Sequence, residues 1–416
     1  MRTAIIGISG YGKEHLRLLL RGCEQGKFTA QAAVVINLDE EPEGLEHLRR
    51  LGCRIYSSVE TLFSEEGGNL DLCMIPTPIA THYPFAKLAM EHGCHVLLEK
   101  PACGTIEEVL ELDRLAESKG LQICIGFQDI YSPQVRLMKE KLVRGEFGRI
   151  LKVRSFGNWP RPTSYYGRNS WAGRLRDDTG WVLDSPVNNA MAHFLNLMLY
   201  WAGPEVDRWA RASTIEGDLY RVQAIESFDT ASLRVQLVEG PDLFFAVSHS
   251  GVDLVEPVVR VDCEKGWITW DHCGPIHFCI DGEETKFSQP NLDVIRDGML
   301  DSVWKRCLNG KGHAVSIRDA ASHTLCVNGL HDASEIREIP DEFLVSRNLR
   351  GHDYRCVESI NRLLQQGFET GKLLKELPSP WPGPDGRKLD CSNYTVFGGG
   401  FVSSSARVAH GSAKSN

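Results

Sequence analysis

A chain of 416 residues is longer than a single hydrophobic core sustains, so two domains are expected, each able to bury a substantial core. Hydrophobic residues at 42% and charged residues at 24% are ordinary globular usage, and no apolar run approaches the roughly 20 residues that span a bilayer, which argues against a membrane protein. The net charge of -9, with no Lys/Arg cluster longer than Arg49-Arg50, leaves no footprint for a nucleic-acid backbone, and 13 singly scattered cysteines without a C-x-x-C pair point to reduced cytoplasmic thiols and to no metal site.

The opening Met1-Arg2-Thr3 runs into Ala-Ile-Ile-Gly without an apolar leader and reads as the first strand. From residue 3 to about 130, β-rich runs alternate with helical ones, the pattern of βαβ units on a parallel sheet. Strands are expected at Thr3 to Ile6, Ala32 to Ile36, Arg54 to Tyr56, Asp71 to Ile75, His95 to Leu98 and Gln122 to Phe127. Ser57-Ser58-Val59-Glu60 and Thr105-Ile106-Glu107-Glu108 match the capping box, Ser132-Pro133 opens a further helix, and Gly52, Gly93 and Gly120 stand where helices should end.

Beyond residue 148, Ile150 to Phe156, Ser232 to Val238, Leu243 to Ser248 and Trp267 to Trp270 read as an antiparallel set. Helices are expected near 186 to 202, 292 to 308, 317 to 337 and 353 to 366. After Leu377 the chain turns Pro-rich, then Gly/Ser-rich. The expected class is α/β: a Rossmann-type domain on a parallel sheet over 1–130, a second α/β domain with a large, mostly antiparallel sheet over 131–376, and an extended arm with a flexible tail over 377–416.

Ala4-Ile5-Ile6-Gly7-Ile8-Ser9-Gly10-Tyr11-Gly12 sets a glycine turn between a strand and the helical Lys13 to Leu20. In G-x-G-x-x-G turns the glycines allow the tight turn, close approach of a pyrophosphate and packing of helix on strand. Here the middle position is Ser9, with Gly10 adjacent, and the alternative is an ordinary glycine-rich βα turn. Asn37, after the second strand, stands where an acidic residue normally holds the adenosine ribose. Asn still hydrogen-bonds a diol, and Asp39, Glu40 and Glu41 follow with no Arg near, which favours NAD over NADP. Val96-Leu97-Leu98-Glu99-Lys100-Pro101 ends a strongly apolar strand with a carboxylate, an amine and a proline. A lysine there sits at the crevice of an open α/β sheet, where partial burial lowers its pKa toward proton exchange with a hydroxyl; a solvated Glu-Lys pair is the plain alternative.

The glycine turn with His15 after it, Ile75-Pro76-Thr77-Pro78 followed by His82, and Glu99-Lys100-Pro101 together resemble the Gfo/Idh/MocA oxidoreductase family, over about residues 3 to 345. The resemblance implies that the Thr-Pro turn lies beside the nicotinamide ribose, that Lys100 contacts nicotinamide and substrate, and that an Asp and a His four residues later on a second-domain helix complete the site. The cofactor set on this reading is Gly7, Ser9, Gly10, Tyr11, Gly12, Asn37, Pro76, Thr77, Pro78, His82, Glu99, Lys100 and Gln128. Counting back from Gly203, His193 takes the family histidine position and Asn189 the aspartate position, a departure from the pattern. At i, i+4 the two share a helical face, but Asn189 cannot stabilise an imidazolium by charge, and Asp184 does so instead if the Pro186 helix start brings it back.

The substrate set is Lys100, Trp159, Tyr166, Arg168, Trp171, Asn189 and His193, because flat aromatic faces and Arg suit a sugar ring and its hydroxyl rim; a subunit-interface loop has the same composition. The resemblance implies hydride transfer between nicotinamide and a sugar, cyclitol or related polyol, His193 being the acid/base and Lys100 polarising the reacting oxygen. It also implies a homo-oligomer, a dimer or tetramer joined through the exposed face of the second domain's sheet, with the Trp381 arm able to exchange between subunits. Two alternatives stand beside this: redox-assisted, NAD-dependent glycoside elimination or hydrolysis, and a dinucleotide-binding regulator without catalysis, for which Asn189 is the hint.

Overall fold

The computed structural model describes residues 1–272 and 274–401, which fall in two compact units. Met1–Ser132, Asp178–Trp181 and Pro290–Ala321 make the first; Pro133–Asp177, Val182–Gln289 and the chain from Ser322 make the second. Residues 402–416 of the expected tail lie outside the described residues.

The first unit is built on strands β1 (Arg2–Ile6), β2 (Thr29–Val34), β3 (Arg54–Tyr56), β4 (Leu72–Ile75), β5 (His95–Leu98) and β6 (Ile123–Ile125), all parallel, in the order β3-β2-β1-β4-β5-β6. Helices cross between successive strands, so the central strands are covered on both faces. That is why β4 reads Leu-Cys-Met-Ile with no polar position, every residue at 0% exposure. The order reverses between β1 and β4, the switch point where open α/β sheets bind ligands outside the carboxyl ends of their strands. The helix after β3 is capped by Ser58, whose oxygen accepts from Thr61 N, and not by a Ser57–Glu60 pair; Glu108 does reach back to Thr105 N at 3.1 Å. Gly52, Gly93 and Gly120 all carry positive φ just past a helix, as expected of helix ends.

This unit is discontinuous in sequence. Helix Leu292–Asn309 is joined to it by Arg296 and Glu14 at 2.8 Å and by Arg306 Nε donating to Gln122 Oε1 at 2.8 Å, and Ile125 N donates to Val315 O at 2.8 Å beside β6.

The second unit holds β7 (Ile150–Asn158), β8 (Ala212–Arg221), β9 (Thr230–Leu237), β10 (Asp242–Ser248), β11 (Val255–Cys263), β12 (Gly266–Asp271), β13 (Ile276–Ile280), β14 (Glu283–Phe287) and β15 (Ile336–Glu338), in the order β14-β13-β12-β11-β7-β10-β9-β8-β15. The sheet is mixed: most neighbours are antiparallel, as expected, but β7 pairs β10 and β8 pairs β15 in parallel. A separate hairpin of β16 (Val345–Leu349) and β17 (His352–Cys356) turns at Arg350-Gly351, both with positive φ. The helix expected from 353 therefore begins only at Ile360, and the one expected over 317–337 ends at Ala333.

Alternation along β7 assigns the faces. Val153 and Ser155 are fully buried on the face shared with helix Ala192–Ala202, whereas Arg154 and Phe156 meet Phe368 of helix Ile360–Thr370 on the other. On that second face Tyr220, Phe244, Ile360, Leu363, Leu373 and Trp381 form one apolar cluster, so the chain's own 360–381 segment covers the sheet over β8 and β10. The strand β18 (Leu389–Asp390) then pairs antiparallel with β8.

Candidate functional site

The glycine turn fits a dinucleotide's pyrophosphate. Gly7 takes φ +86°, and a Cβ on Gly12 would stand 2.8 Å from Gly7 O, so the helix start and the strand end approach more closely than a side chain allows. The amides of Ser9, Gly10 and Tyr11 donate to no other group among the described residues, and Tyr11 precedes the helix without capping it, which leaves donors at a helix N-terminus for an anion. Thr77 and Pro76 flank this turn, with Thr77 Cγ2 3.6 Å from a Cβ on Gly7 and Pro76 Cγ 3.7 Å from one on Gly12.

Glu99 and His82 hold the neighbouring loops. Glu99 is buried at 5% exposure; its Oε1 lies 2.8 Å from His15 Nε2 and its Oε2 accepts Lys100 N at 3.1 Å. Burial acts to raise this carboxyl, but the hydrogen bond and charge of His15, with Lys100, hold it below the usual range. A Cβ on Gly126 would meet Glu99 Oε1 at 2.5 Å, which is why glycine follows β6. His82 sets Nδ1 2.8 Å from Pro101 O and Nε2 2.8 Å from Thr77 O, tying the Lys100 loop to the Thr-Pro turn. Burial pushes its pKa down, so the ring is neutral and donates to one carbonyl at a time. Lys100 itself is half-buried at the carboxyl end of β5, before a cis bond to Pro101. Arg296 donates through Nε to Gln128 Oε1 at 2.9 Å and through Nη1 to Glu14 Oε2 at 2.8 Å, beside Tyr11. Sequence reasoning missed Arg296 because it lies 168 residues beyond Gln128.

Asn37 is exposed and donates to Glu40 Oε1 at 2.6 Å, three residues past the end of β2 at Val34.

In the second unit the helix read over 186–202 is broken, so Asn189 and His193 do not lie on one continuous α-helix. Pro186–Ala190 is a single π-helical turn, closed by Met191 N donating to Pro186 O at 2.8 Å, and the α-helix starts only at Ala192. The break has local causes. Ser185 caps the turn through Asn188 N at 3.1 Å, Pro186 follows at the first position, and Asn188 Nδ2 turns back onto Val182 O and Leu183 O, at 3.2 Å each. Leu183 carries φ +48°, backbone strain of a kind that clusters at functional sites. It presents Asp184, whose Oδ1 accepts Asn189 Nδ2 at 2.8 Å and whose Oδ2 accepts Gly173 N at 2.7 Å. His193 is the one residue of helix Ala192–Ala202 that is not buried.

Tyr166, Asp184 and Asn189 come together on one small cleft, with Tyr165, Ser185, Pro186, Ala190, Phe228 and His249. The Tyr166 hydroxyl is buried without a partner among the described residues, and burial, with the charges of Asp229 and Asp184, keeps it protonated. Burial, with Arg161 and Arg168, pushes His249 down to about 3; the neutral ring gives its Nδ1 proton to Trp159 O at 2.9 Å. Trp159, Arg168 and Trp171 are not among the residues that line it. Trp159 Nε1 donates to Glu256 at 3.0 Å and its ring packs on Phe194, while Arg168 lies between the Tyr165 ring at 3.5 Å and the Trp171 ring at 5.2 Å. No local signal marked Phe228 or His249, which arrive from the β8–β9 turn and the end of β10.

The model of the Gfo/Idh/MocA oxidoreductase family, NAD-binding Rossmann fold, matches residues 1–127. Over 141 residues the chain is 30% identical to the UDP-N-acetylglucosamine 3-dehydrogenase of Acidithiobacillus ferrooxidans, 34% of this chain and 41% of that protein. Over 197 residues it is 34% identical to the D-xylose dehydrogenase of Paenarthrobacter nicotinovorans, 44% of this chain and half of that one. The chain thus spans half or less of the length of both relatives. In fold it is similar to the WlbA dehydrogenase of Bordetella pertussis, solved in complex with NADH and UDP-GlcNAcA, with a TM-score of 0.64 at 19% identity over 79% of this chain and 95% of that one. Residues 1–127, which hold the whole parallel sheet, thus match the NAD-binding Rossmann domain of the Gfo/Idh/MocA oxidoreductase family.

Proposed function

We propose that the chain is an NAD-dependent dehydrogenase or reductase of a sugar, cyclitol or related polyol. The observation that carries this is the first unit's crevice, where a turn with unbonded amides, the Thr77 loop and the Lys100 loop are held against one another by Glu99, His15 and His82. Bound nicotinamide supplies the hydride acceptor or donor. On the reacting oxygen the proposed groups are Lys100, which polarises it, and His193, which takes or returns its proton. Asn189, fixed by Asp184 at 2.8 Å, is proposed to orient the substrate; being neutral, it leaves Asp184 as the carboxylate next to it. NAD is proposed over NADP because Glu40 lies against Asn37 and disfavours a 2′-phosphate.

A panel of sugars, polyols and sugar acids with NAD and with NADP, followed at the nicotinamide absorbance, tests the reading. Turnover of at least one member is expected. Tight dinucleotide binding with no turnover across the panel would overturn it.

A further inference from the structure

The segment after Trp381 forms a latch on Asp332. Gly398 N and Gly400 N donate to the two oxygens of Asp332 at 2.7 and 2.9 Å, and Tyr394 Oη donates to the same carboxylate at 2.6 Å. Asp332 is 3% exposed near the end of helix Ile317–Ala333, so its charge is satisfied by the latch instead of by water. Backbone amides gathered on an anion in this way need residues that the left-handed region accepts. Gly399 and Gly400 take φ +85° and +106°, and a Cβ on Gly398 would stand 2.7 Å from Asp332 Oδ2. The glycine run is thereby explained by the carboxylate it encloses.

Between Tyr394 and Gly398 the latch buries Phe397, whose ring is 6.2 Å from that of His331, itself 5.2 Å from Phe228, a wall residue of the Tyr166 cleft. Burial pushes His331 down to about 4, so the ring between the two phenylalanines is neutral. We infer that residues 394–400 buttress the cleft: latched on Asp332, Phe397 presses through His331 on Phe228 and fixes that wall of the cleft. Phe397, His331 and Asp332 are then positioning residues. Only the kinetic consequence rests on the cleft being the substrate pocket; the mechanical coupling does not.

Hydrogen exchange of the full chain, free of ligand, compares the unaltered protein with Phe397→Ala and Gly398→Ala. Amides at 184–191 and 226–230 are expected to exchange about tenfold faster in both variants, since loss of packing lowers the local opening free energy. Phe397→Leu, which keeps apolar bulk and serves should the alanine variant fold poorly, is expected to restore most of the protection. Exchange at 184–191 and 226–230 equal to that of the unaltered chain overturns the inference, whatever happens at 330–335. In steady-state assays on a sugar the panel identifies, Phe397→Ala is expected to raise KM with kcat nearly kept. An inactive panel would instead count against the proposed function and leave the exchange result standing.

Discussion

Lys139 shows how a single buried charge serves the helix that carries His193. Its Nζ, on a side chain with 0% exposure, donates to Tyr200 O and Gly203 O at 2.6 Å each, capping the last carbonyls of helix Ala192–Ala202. Burial drives its pKa down to about 7, against the opposing pull of Asp207, Glu239 and Glu205. Between about pH 7 and the unfolded lysine's value near ~10.4, the unfolded chain therefore holds a proton that the folded chain lacks, and this residue's contribution makes stability rise with pH. In Lys139→Met that contribution is gone. Urea unfolding at pH 7 and pH 9.5 should show the unaltered chain gaining on the variant by about 1–3 kcal/mol; equal slopes would mean that Lys139 stays charged in the fold. For the proposed chemistry, Lys100→Met and His193→Ala should each lower kcat by about 10²-fold or more with NADH affinity within a few-fold, by fluorescence titration. Full activity in both would remove these residues from the mechanism. Arg296→Ala should weaken NADH about tenfold, because Tyr11 and Gln128 lose the guanidinium that holds them; an unchanged Kd would count against that role.

At the scale of elements, the closest approach in the molecule's first βα turn is also its most exposed point to substitution. Gly12→Ala puts a methyl 2.8 Å from Gly7 O, which is backbone and cannot move aside cheaply. Strand and helix must separate, and dinucleotide affinity is expected to fall at least about tenfold with a lowered Tm; calorimetric titration with NADH checks it, and unaltered binding would refute it. This turn was legible in the sequence because strand, glycines and helix are contiguous there, and the Lys100 loop was legible because its residues are adjacent. The π turn was not, since the side-chain bonds of Asn188 that break the helix leave no trace in hydrophobic spacing. The 352–356 strand was hidden for a related reason: Arg350-Gly351 is the signal, and without a Gly-rich or Asn-Gly pair it reads as a helix approach. Phe228 and His249 were illegible because the sheet, not the neighbouring chain, brings them to Tyr166.

Over the whole chain, the second unit has no complete core until residues 360–381 lie on β7 and β10. Ending the chain at Ser359 would bare Tyr220, Val222, Phe244 and Ala246, an apolar surface in the middle of a sheet, of the kind that monomers seldom leave open beyond a few hundred Å2. Such a truncation is expected to aggregate or to lose Tm by more than about 5 °C, measured by light scattering and thermal unfolding; a monodisperse product with unchanged Tm would show the segment to be an accessory.

The discontinuity of the first unit has a consequence for synthesis. Its sheet is written by residue 125, yet the helix and strand-edge contacts that finish it come from 290–321, and the second unit waits for Trp381. A ribosome must therefore emit about three quarters of the chain before either unit can close. During that interval paired strands and uncovered apolar faces stand open together, so the yield of folded protein should depend on chaperone supply more steeply than for a chain whose domains are completed one after the other.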